Sequence, residues 1–179
     1  MAWTAFSSGW GGDDFLRGQY GDDTYFGGSG TDTVWFEDGW PHYLDFSMAG
    51  DGAVIASGPN TGTDTLYSIE KLAFIAAFDP GESASAYMNY DPDYIFNLTA
   101  GTNAGNTIAV SGDKNIVVTG DGDDTVSVTD ATDQTRNHIH LGGGNHTITF
   151  SGAATSQATI YLADGVIGDY TVGENAAGE

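Results

Sequence analysis

The chain has 179 residues, of which 27 are glycine, and 25 acidic against 4 basic side chains give it a formal net charge of −21. So anionic a chain lacks the basic surface that nucleic acids require, and we expect no nucleic-acid partner. The absence of cysteine excludes disulfides and thiolate metal sites, and no apolar run is long enough to predict a transmembrane segment. The acids are 20 Asp and 5 Glu, and Asp combined with glycine is typical of tight turns that carry oxygen ligands.

Three consecutive nine-residue repeats begin at Gly9, Gly18 and Gly27. Each has glycine at its first and fourth positions, aspartate at its sixth and an apolar residue at its eighth. The glycine-rich half predicts a turn and the other half a short strand, so each repeat is half a coil of a solenoid. The residues predicted to point inward from the three strands are Leu16, Tyr25 and Val34.

The period breaks over residues 36–57, where His42 to Phe46 and Ala53 to Ser57 are predicted strands joined by a turn at 50–52. The repeat pattern returns at 62–66, and two prolines with mixed polarity predict a connector beyond residue 75.

A second periodic block follows the connector, and in it Asn106, Asn115 and Asp124 lie nine residues apart. Residues 142–148 repeat the same order of turn and strand, with His146 at the sixth position. We therefore predict a first block over 1–75, a connector over 76–100 and a degenerate second block over 101–175, which can share one continuous core with the first.

The three tandem repeats match the pattern Gly-Gly-x-Gly-x-Asp-x-apolar-x, and the chain thereby resembles the RTX family of hemolysin-type calcium-binding repeat proteins. Trp10 and Gln19 depart from the pattern at the second glycine position. The resemblance implies an all-β fold, a right-handed parallel β-roll or β-solenoid, with Gly-Asp-rich turns that bind Ca²⁺. It also implies a secreted bacterial protein, and we expect export without a classical signal peptide because the first twelve residues lack a basic and an apolar region.

The same resemblance implies a set of calcium ligands in the turns. These are Gly9, Gly11, Asp13, Asp14, Asp22, Asp23, Gly27, Ser29, Asp32, Asp64, Asp121, Asp123 and Asp124. Turns on one edge of a solenoid are 18 residues apart, so 9–14 is expected to face 27–32, with Asp14 and Asp32 on one ion. The turn at 18–23 is then expected to face 36–41, where Asp38 is the candidate ligand. The alternative is that these residues form Asx-Gly turns without a metal.

In the second block a ladder of Asn side chains that satisfies its own turns competes with calcium binding. His138 and His140 share one face of a strand and, with His146, offer three imidazoles to a transition metal. The favoured interpretation is that these are exposed strand histidines near a turn.

We expect no enzymatic activity, because no catalytic arrangement is evident. The chain is predicted to fold on binding calcium outside the cell, and two roles stay open. It is a structural protein that assembles into a homo-oligomer, surface layer or filament, or an accessory domain of a larger exported enzyme, toxin or adhesin. The crowded aromatic residues of the first block would in the second case contact polysaccharide or a protein partner.

Overall fold

The computed structural model describes residues 6–18, 20–36, 41–59, 61–74, 95–131, 137–152, 158–162 and 170–174. These residues form sixteen strands and one 3₁₀ turn, and contacts divide the chain into two compact units. The first unit contains residues 1–45 and 55–97, and the second contains 46–54 and 98–179. None of the described residues forms a helix that is both long and apolar enough to cross a membrane.

The strands of the first half of the chain are short, as the alternation of glycine turns and β-branched or aromatic residues predicts. They are β1 (Phe6–Ser8), β2 (Phe15–Leu16), β3 (Thr24–Phe26), β4 (Thr33–Phe36), β5 (Asp45–Met48), β6 (Val54–Gly58), β7 (Gly62–Tyr67) and β8 (Lys71–Phe74). Strand β9 (Ile95–Ala100) follows.

In the first unit, strands β1 to β4 alternate between two sheets and β7 and β8 add one further strand to each, which is the topology of a solenoid. One sheet has the order β1-β3-β7-β6, and the other has the order β2-β4-β8-β9. The pairs β1–β3, β3–β7, β2–β4 and β4–β8 are parallel, while β8–β9 is antiparallel. The predicted inward residues Leu16, Tyr25 and Val34 are all buried, which confirms the strand phase of the repeats.

The strands of the second half are β10 (Thr107–Ser111), β11 (Asn115–Val118), β12 (Thr125–Ala131), β13 (Asn137–Leu141), β14 (His146–Gly152), β15 (Ala158–Leu162) and β16 (Tyr170–Glu174). In the second unit they again alternate between two parallel sheets, β10-β12-β14-β16 and β11-β13-β15. A cluster of aliphatic residues fills the core, among them Ile108, Val126, Ile139 and Ile148. Each unit is therefore a parallel β-solenoid, and the predicted all-β solenoid fold is confirmed.

The break in the repeat is a 3₁₀ turn at Pro41–Tyr43 followed by the hairpin of β5 and β6. The predicted strand at 42–46 was wrong at its start, because the 3₁₀ turn takes residues 42 and 43 and the strand begins at Asp45. The hairpin turn is closed by hydrogen bonds between the backbones of Ala49, Gly52 and Ala53. The predicted connector lies outside the described residues as far as 94, and 95–100 form β9.

Candidate metal centre

Carboxylates of the first unit stack above one another along one edge, where the strands β2, β4 and β8 begin. The amide N–H of Asp14 donates to Oδ1 of Asp32 at 2.8 Å, and the amide N–H of Asp32 donates to Oε2 of Glu70 at 2.8 Å. We call Asp14, Asp32 and Glu70 the first edge. The predicted facing of turns 9–14 and 27–32 is confirmed by this contact and by the pairing of Phe15 with Thr33.

Glu70 was missed by the sequence analysis because it lies 38 residues after Asp32 and outside any nine-residue repeat. Its signal was local: an acidic residue directly precedes the strand Lys71–Phe74, as Asp32 directly precedes Thr33–Phe36.

The Oδ2 atoms of Asp14 and Asp32 lie near backbone carbonyl oxygens, which are also hydrogen-bond acceptors. Oδ2 of Asp14 and Oδ2 of Asp32 are buried, and within the described residues neither has a hydrogen-bond partner. Oδ2 of Asp14 and the carbonyl oxygen of Gly27 both line the space that a Cβ on Gly9 would occupy. Oδ2 of Asp32 and the carbonyl oxygen of Ser68 likewise line the space that a Cβ on Gly27 would occupy. Glycine at both positions thus leaves room for anionic and carbonyl oxygens to converge.

A desolvated carboxylate oxygen beside a carbonyl oxygen is unfavourable unless a positive group lies between them. Asp32 is fully buried, with 0% of its surface exposed. Hard divalent cations prefer ligands of this kind, carboxylate oxygens together with backbone carbonyls. The oxygens of the first edge therefore fit a hard cation, and the residues that would hold it are Asp14 and Asp32 with the carbonyls of Gly27 and Ser68.

The opposite edge of the first unit carries Asp23 and Asp64, which we call the second edge. The amide N–H of Asp23 donates to Oδ1 of Asp64 at 2.8 Å, and both side chains are buried. The predicted partner of the 18–23 turn, residues 36–41, was wrong. Strand β3 instead pairs with β7, because the chain makes the 3₁₀ turn and the hairpin before it returns to this edge. Asp38 lies outside the described residues.

The hydroxyl of Tyr25 lies beside the second edge, where it and Oδ2 of Asp23 line the space that a Cβ on Gly18 would occupy. The buried hydroxyl of Tyr25 hydrogen-bonds to Asp23, and a backbone hydrogen bond also links it to Gly18. Burial raises the pKa of Tyr25, and the charges of Asp64 and Asp23 raise it further, so the hydroxyl keeps its proton. The second edge therefore has a protonated hydroxyl beside its carboxylates.

The remaining predicted ligands of the first unit join neighbouring turns to each other. Oδ1 of Asp13 accepts the amide N–H of Thr31, and Oδ1 of Asp22 accepts that of Thr63, each at 2.9 Å. The carbonyl of Ser29 accepts the amide N–H of Gly12 at 2.8 Å. Gly11 lies against the hydroxyl of Ser29, which is on the facing turn one coil away.

In the second unit the sixth-position residues are Asn106, Asp124 and His146, which the register places in one row. Oδ1 of Asp124 accepts the amide N–H of Asn106 at 2.9 Å and its side-chain Nδ2 at 2.8 Å. Oδ2 of Asp124 lies 3.2 Å from Nδ1 of His146. The carboxylate thus lies between an amide and an imidazole.

The other predicted acids of the second unit also accept hydrogen bonds from the next turn. Oδ1 of Asp121 accepts the amide N–H of Gly143 at 3.1 Å. Oδ1 of Asp123 accepts the amide N–H of Asn145 at 2.9 Å. On the opposite edge Oδ1 of Asn137 accepts the amide N–H of Asn115 at 3.0 Å and its side-chain Nδ2 at 2.8 Å. These contacts form the ladder of Asn side chains that was the alternative to calcium here.

The three histidines do not form one cluster. His138 and His140 lie on β13, while His146 lies on β14 in the other sheet of its unit. The prediction that they are exposed was wrong, because all three are buried. The ring of His140 stacks on Tyr161 with centroids 4.1 Å apart and meets the edge of Phe46 at 5.0 Å. Burial, and secondarily His138, lowers the pKa of His140 to about 3, so this ring is a neutral packing group.

Among the described residues, no group of three or more His, Asp or Glu side chains is arranged to hold a metal ion. The first edge differs from such a group because it combines two carboxylates from facing turns, Asp14 and Asp32, with backbone carbonyls. Any ion there would depend on main-chain oxygens for much of its coordination.

Comparison with known proteins gives little beyond this geometry. No protein-family model matches the chain, and no curated protein matches it. Among solved structures it is similar to the crystal structure of the extracellular lipase LipA from Serratia marcescens, with 14% identity and a TM-score of 0.28. The match covers 92% of this chain but only 32% of the lipase. At that TM-score the similarity carries no argument about fold or activity.

Proposed function

We propose that the first unit binds calcium along the first edge and that the ion completes its fold. The observation that carries this proposal is the buried Oδ2 of Asp32, which has no hydrogen-bond partner within the described residues and shares a glycine-lined space with the carbonyl of Ser68. The resemblance of the three repeats to the RTX pattern supports the same ion.

Calcium suits this edge better than the other common metals. All the converging atoms are oxygens, which disfavours zinc and copper, because these prefer nitrogen or sulfur. Magnesium requires near-ideal octahedral geometry and keeps several waters, whereas calcium accepts irregular sets of six to eight oxygens. A divalent cation also reduces the self-repulsion of a chain with a net charge of −21.

We propose that the first edge has the calcium affinity typical of extracellular modules. Extracellular modules bind calcium with dissociation constants of about 10⁻⁴ to 10⁻³ M. Calcium at 100 times the dissociation constant stabilises the fold by about 2.7 kcal/mol per site. Such a site stays empty in the cytosol and fills outside the cell, so we propose a secreted, non-enzymatic structural module that completes its fold after export.

Calorimetry and circular dichroism in calcium and in chelator test this proposal. Asp32→Asn keeps an oxygen to accept the amide N–H of Asp14 but removes the charge, so calcium binding on the first edge should be lost. The control is Asp51→Asn in the hairpin turn, where Oδ1 accepts the amide N–H of Ala53. The control should bind calcium as the wild type does. Wild-type protein that gives the same spectrum and thermal unfolding in chelator as in calcium would contradict the proposal.

Head-to-tail assembly of such modules is supported by the ends of the sheets. Within the described residues, β1 and β2 each end a sheet and pair on one side only. Unpaired strand edges can add a further strand from a second copy, and contacts that do not close give filaments. Light scattering should show larger particles in calcium than in chelator, while a monomer under both conditions opposes assembly.

Binding to polysaccharide is the second candidate, favoured by exposed aromatic rings. Trp10 is 97% exposed, and Phe26 stacks on Tyr67 with centroids 4.8 Å apart and planes 6° from parallel. Flat aromatic surfaces can stack against the apolar faces of sugar rings. Glycan-array binding that Trp10→Ala and Phe26→Ala abolish would favour this role over assembly.

A further inference from the structure

The side chains at the starts of the strands differ in kind between the two units. On the first edge the successive residues are Asp14, Asp32 and Glu70, all carboxylates. In the second unit the corresponding rows are Asn106, Asp124 and His146 on one edge and Asn115 and Asn137 on the other. In both units parallel strands of neighbouring coils pair in register, so the units differ in which side-chain atoms can donate a hydrogen bond.

The side-chain amides of Asn106 and Asn115 form hydrogen bonds within their own turns and to the next coil. Nδ2 of Asn106 donates to the carbonyls of Thr102 and Ala104, the former at 3.0 Å, and to Oδ1 of Asp124 at 2.8 Å. Nδ2 of Asn115 lies 3.2 Å from the carbonyl of Ser111 and 2.8 Å from Oδ1 of Asn137. Each amide nitrogen therefore gathers carbonyl oxygens from its own turn together with a side-chain oxygen from the next coil.

The imidazole of His146 continues the same pattern. Its Nε2 lies 3.2 Å from the carbonyl oxygen of Gly142, and its Nδ1 lies 3.2 Å from Oδ2 of Asp124. Oδ1 of Asp124 thus accepts from the amide of Asn106, while its Oδ2 lies beside the imidazole of His146 without a hydrogen bond to it. On the first edge, Oδ2 of Asp14 and of Asp32 face carbonyl oxygens instead.

We infer that the second unit folds without calcium, because the side-chain amides of Asn106 and Asn115 donate to the oxygens of their turns, and the imidazole of His146 lies beside Asp124 where the first unit would hold an ion. This inference rests on the proposed function for the first unit only. The predicted ligands Asp121, Asp123 and Asp124 then serve as hydrogen-bond acceptors between coils. The protein has one half that responds to calcium and one that is already folded when calcium arrives.

Hydrogen–deuterium exchange of the full chain, in calcium and in chelator, resolves the two halves. In chelator, peptides from 9–34 and 62–74 should lose at least about 100-fold in amide protection, since local unfolding exposes them. Peptides from 106–118 and 137–150 should change by less than about threefold.

Each other pattern has a definite meaning. Loss of protection in both halves overturns the inference but leaves the proposed function standing. Protection of both halves in chelator overturns the proposed function of the first unit. Loss in the second half alone overturns both.

Asn106→Asp gives a second, positive test. It replaces the donating amide with a carboxylate beside Asp124, so peptides from the second unit should become calcium-dependent in their protection. The control Asn103→Asp adds the same charge at an exposed position in the same turn and should leave protection in chelator unchanged. A second unit that stays protected in chelator after Asn106→Asp shows that the amide does not substitute for an ion and overturns the inference.

Discussion

Removal of the Tyr25 hydroxyl should destabilise the first unit measurably. Tyr25 is buried on the core side of β3, and its hydroxyl hydrogen-bonds to the buried carboxylate of Asp23. Tyr25→Phe leaves the ring in place but removes the donor from a desolvated charge. A hydrogen bond to a charged group contributes about 1.5–3 kcal/mol, so the free energy of unfolding should fall by that amount.

For a chain of this size such a loss lowers the melting temperature by about 3–12 °C. Urea unfolding and calorimetry in saturating calcium measure both quantities while the first edge stays intact. The control is Tyr43→Phe, because Tyr43 is 55% exposed and water can reach its hydroxyl in both the folded and the unfolded state. This variant should remain within about 0.5 kcal/mol of the wild type.

A Tyr25→Phe protein as stable as the Tyr43→Phe control would refute this reasoning. It would mean that Asp23 is neutralised by something other than the hydroxyl, and a cation on the second edge would be the first explanation to examine. A calcium titration of the same variant separates the cases, because an extra site on that edge raises the binding stoichiometry above that of the first edge alone.

Two further predictions concern a glycine and a histidine. A Cβ on Gly27 would overlap the carbonyl oxygen of Ser68 and crowd Asp32, whereas a Cβ on Gly50 would meet nothing within 4 Å. Gly27→Ala should therefore weaken calcium binding at least tenfold by calorimetry, and Gly50→Ala should not change it. The pKa of His140 is about 3 in the fold against about 6.5 in an unfolded chain, so below pH 6.5 the unfolded state binds a proton that the folded state does not. Stability is thus lost as the pH falls from 6.5 towards 3, and the share due to His140 is about 2 kcal/mol between pH 7.5 and 5. Urea unfolding of His140→Phe should show a pH dependence smaller by about that amount, and an unchanged pH dependence would contradict the assigned cause.

The local structure of the repeats could be predicted from the sequence because it depends on short-range preferences. Glycine accepts the left-handed conformation that the turns use, as at Gly28 and Gly30 with φ of 99° and 139°. The eighth-position residues alternate into the core by the two-residue period of a strand. The spacing of 18 residues placed Asp14 beside Asp32, since two strands and two turns complete one coil.

The pairing partner of the second repeat could not be predicted in the same way. The sequence pattern does not say how many residues leave the solenoid before it resumes, so the pairing of β3 with β7 and the place of Asp64 opposite Asp23 appeared only in the structure. The place of Glu70 above Asp32 depended on the same long excursion.

The character of each edge was also decided by tertiary contacts. Sequence alone showed Asp in one block and Asn or His in the other, which left calcium and an Asn ladder as alternatives for the second block. Whether a carboxylate oxygen meets a donor or another acceptor depends on the residue one coil away, which only folding brings into contact with it. The conformational preferences of the residues determine the turns and strands. Only the stacking of the coils determines which carboxylates, amides and imidazoles lie next to one another.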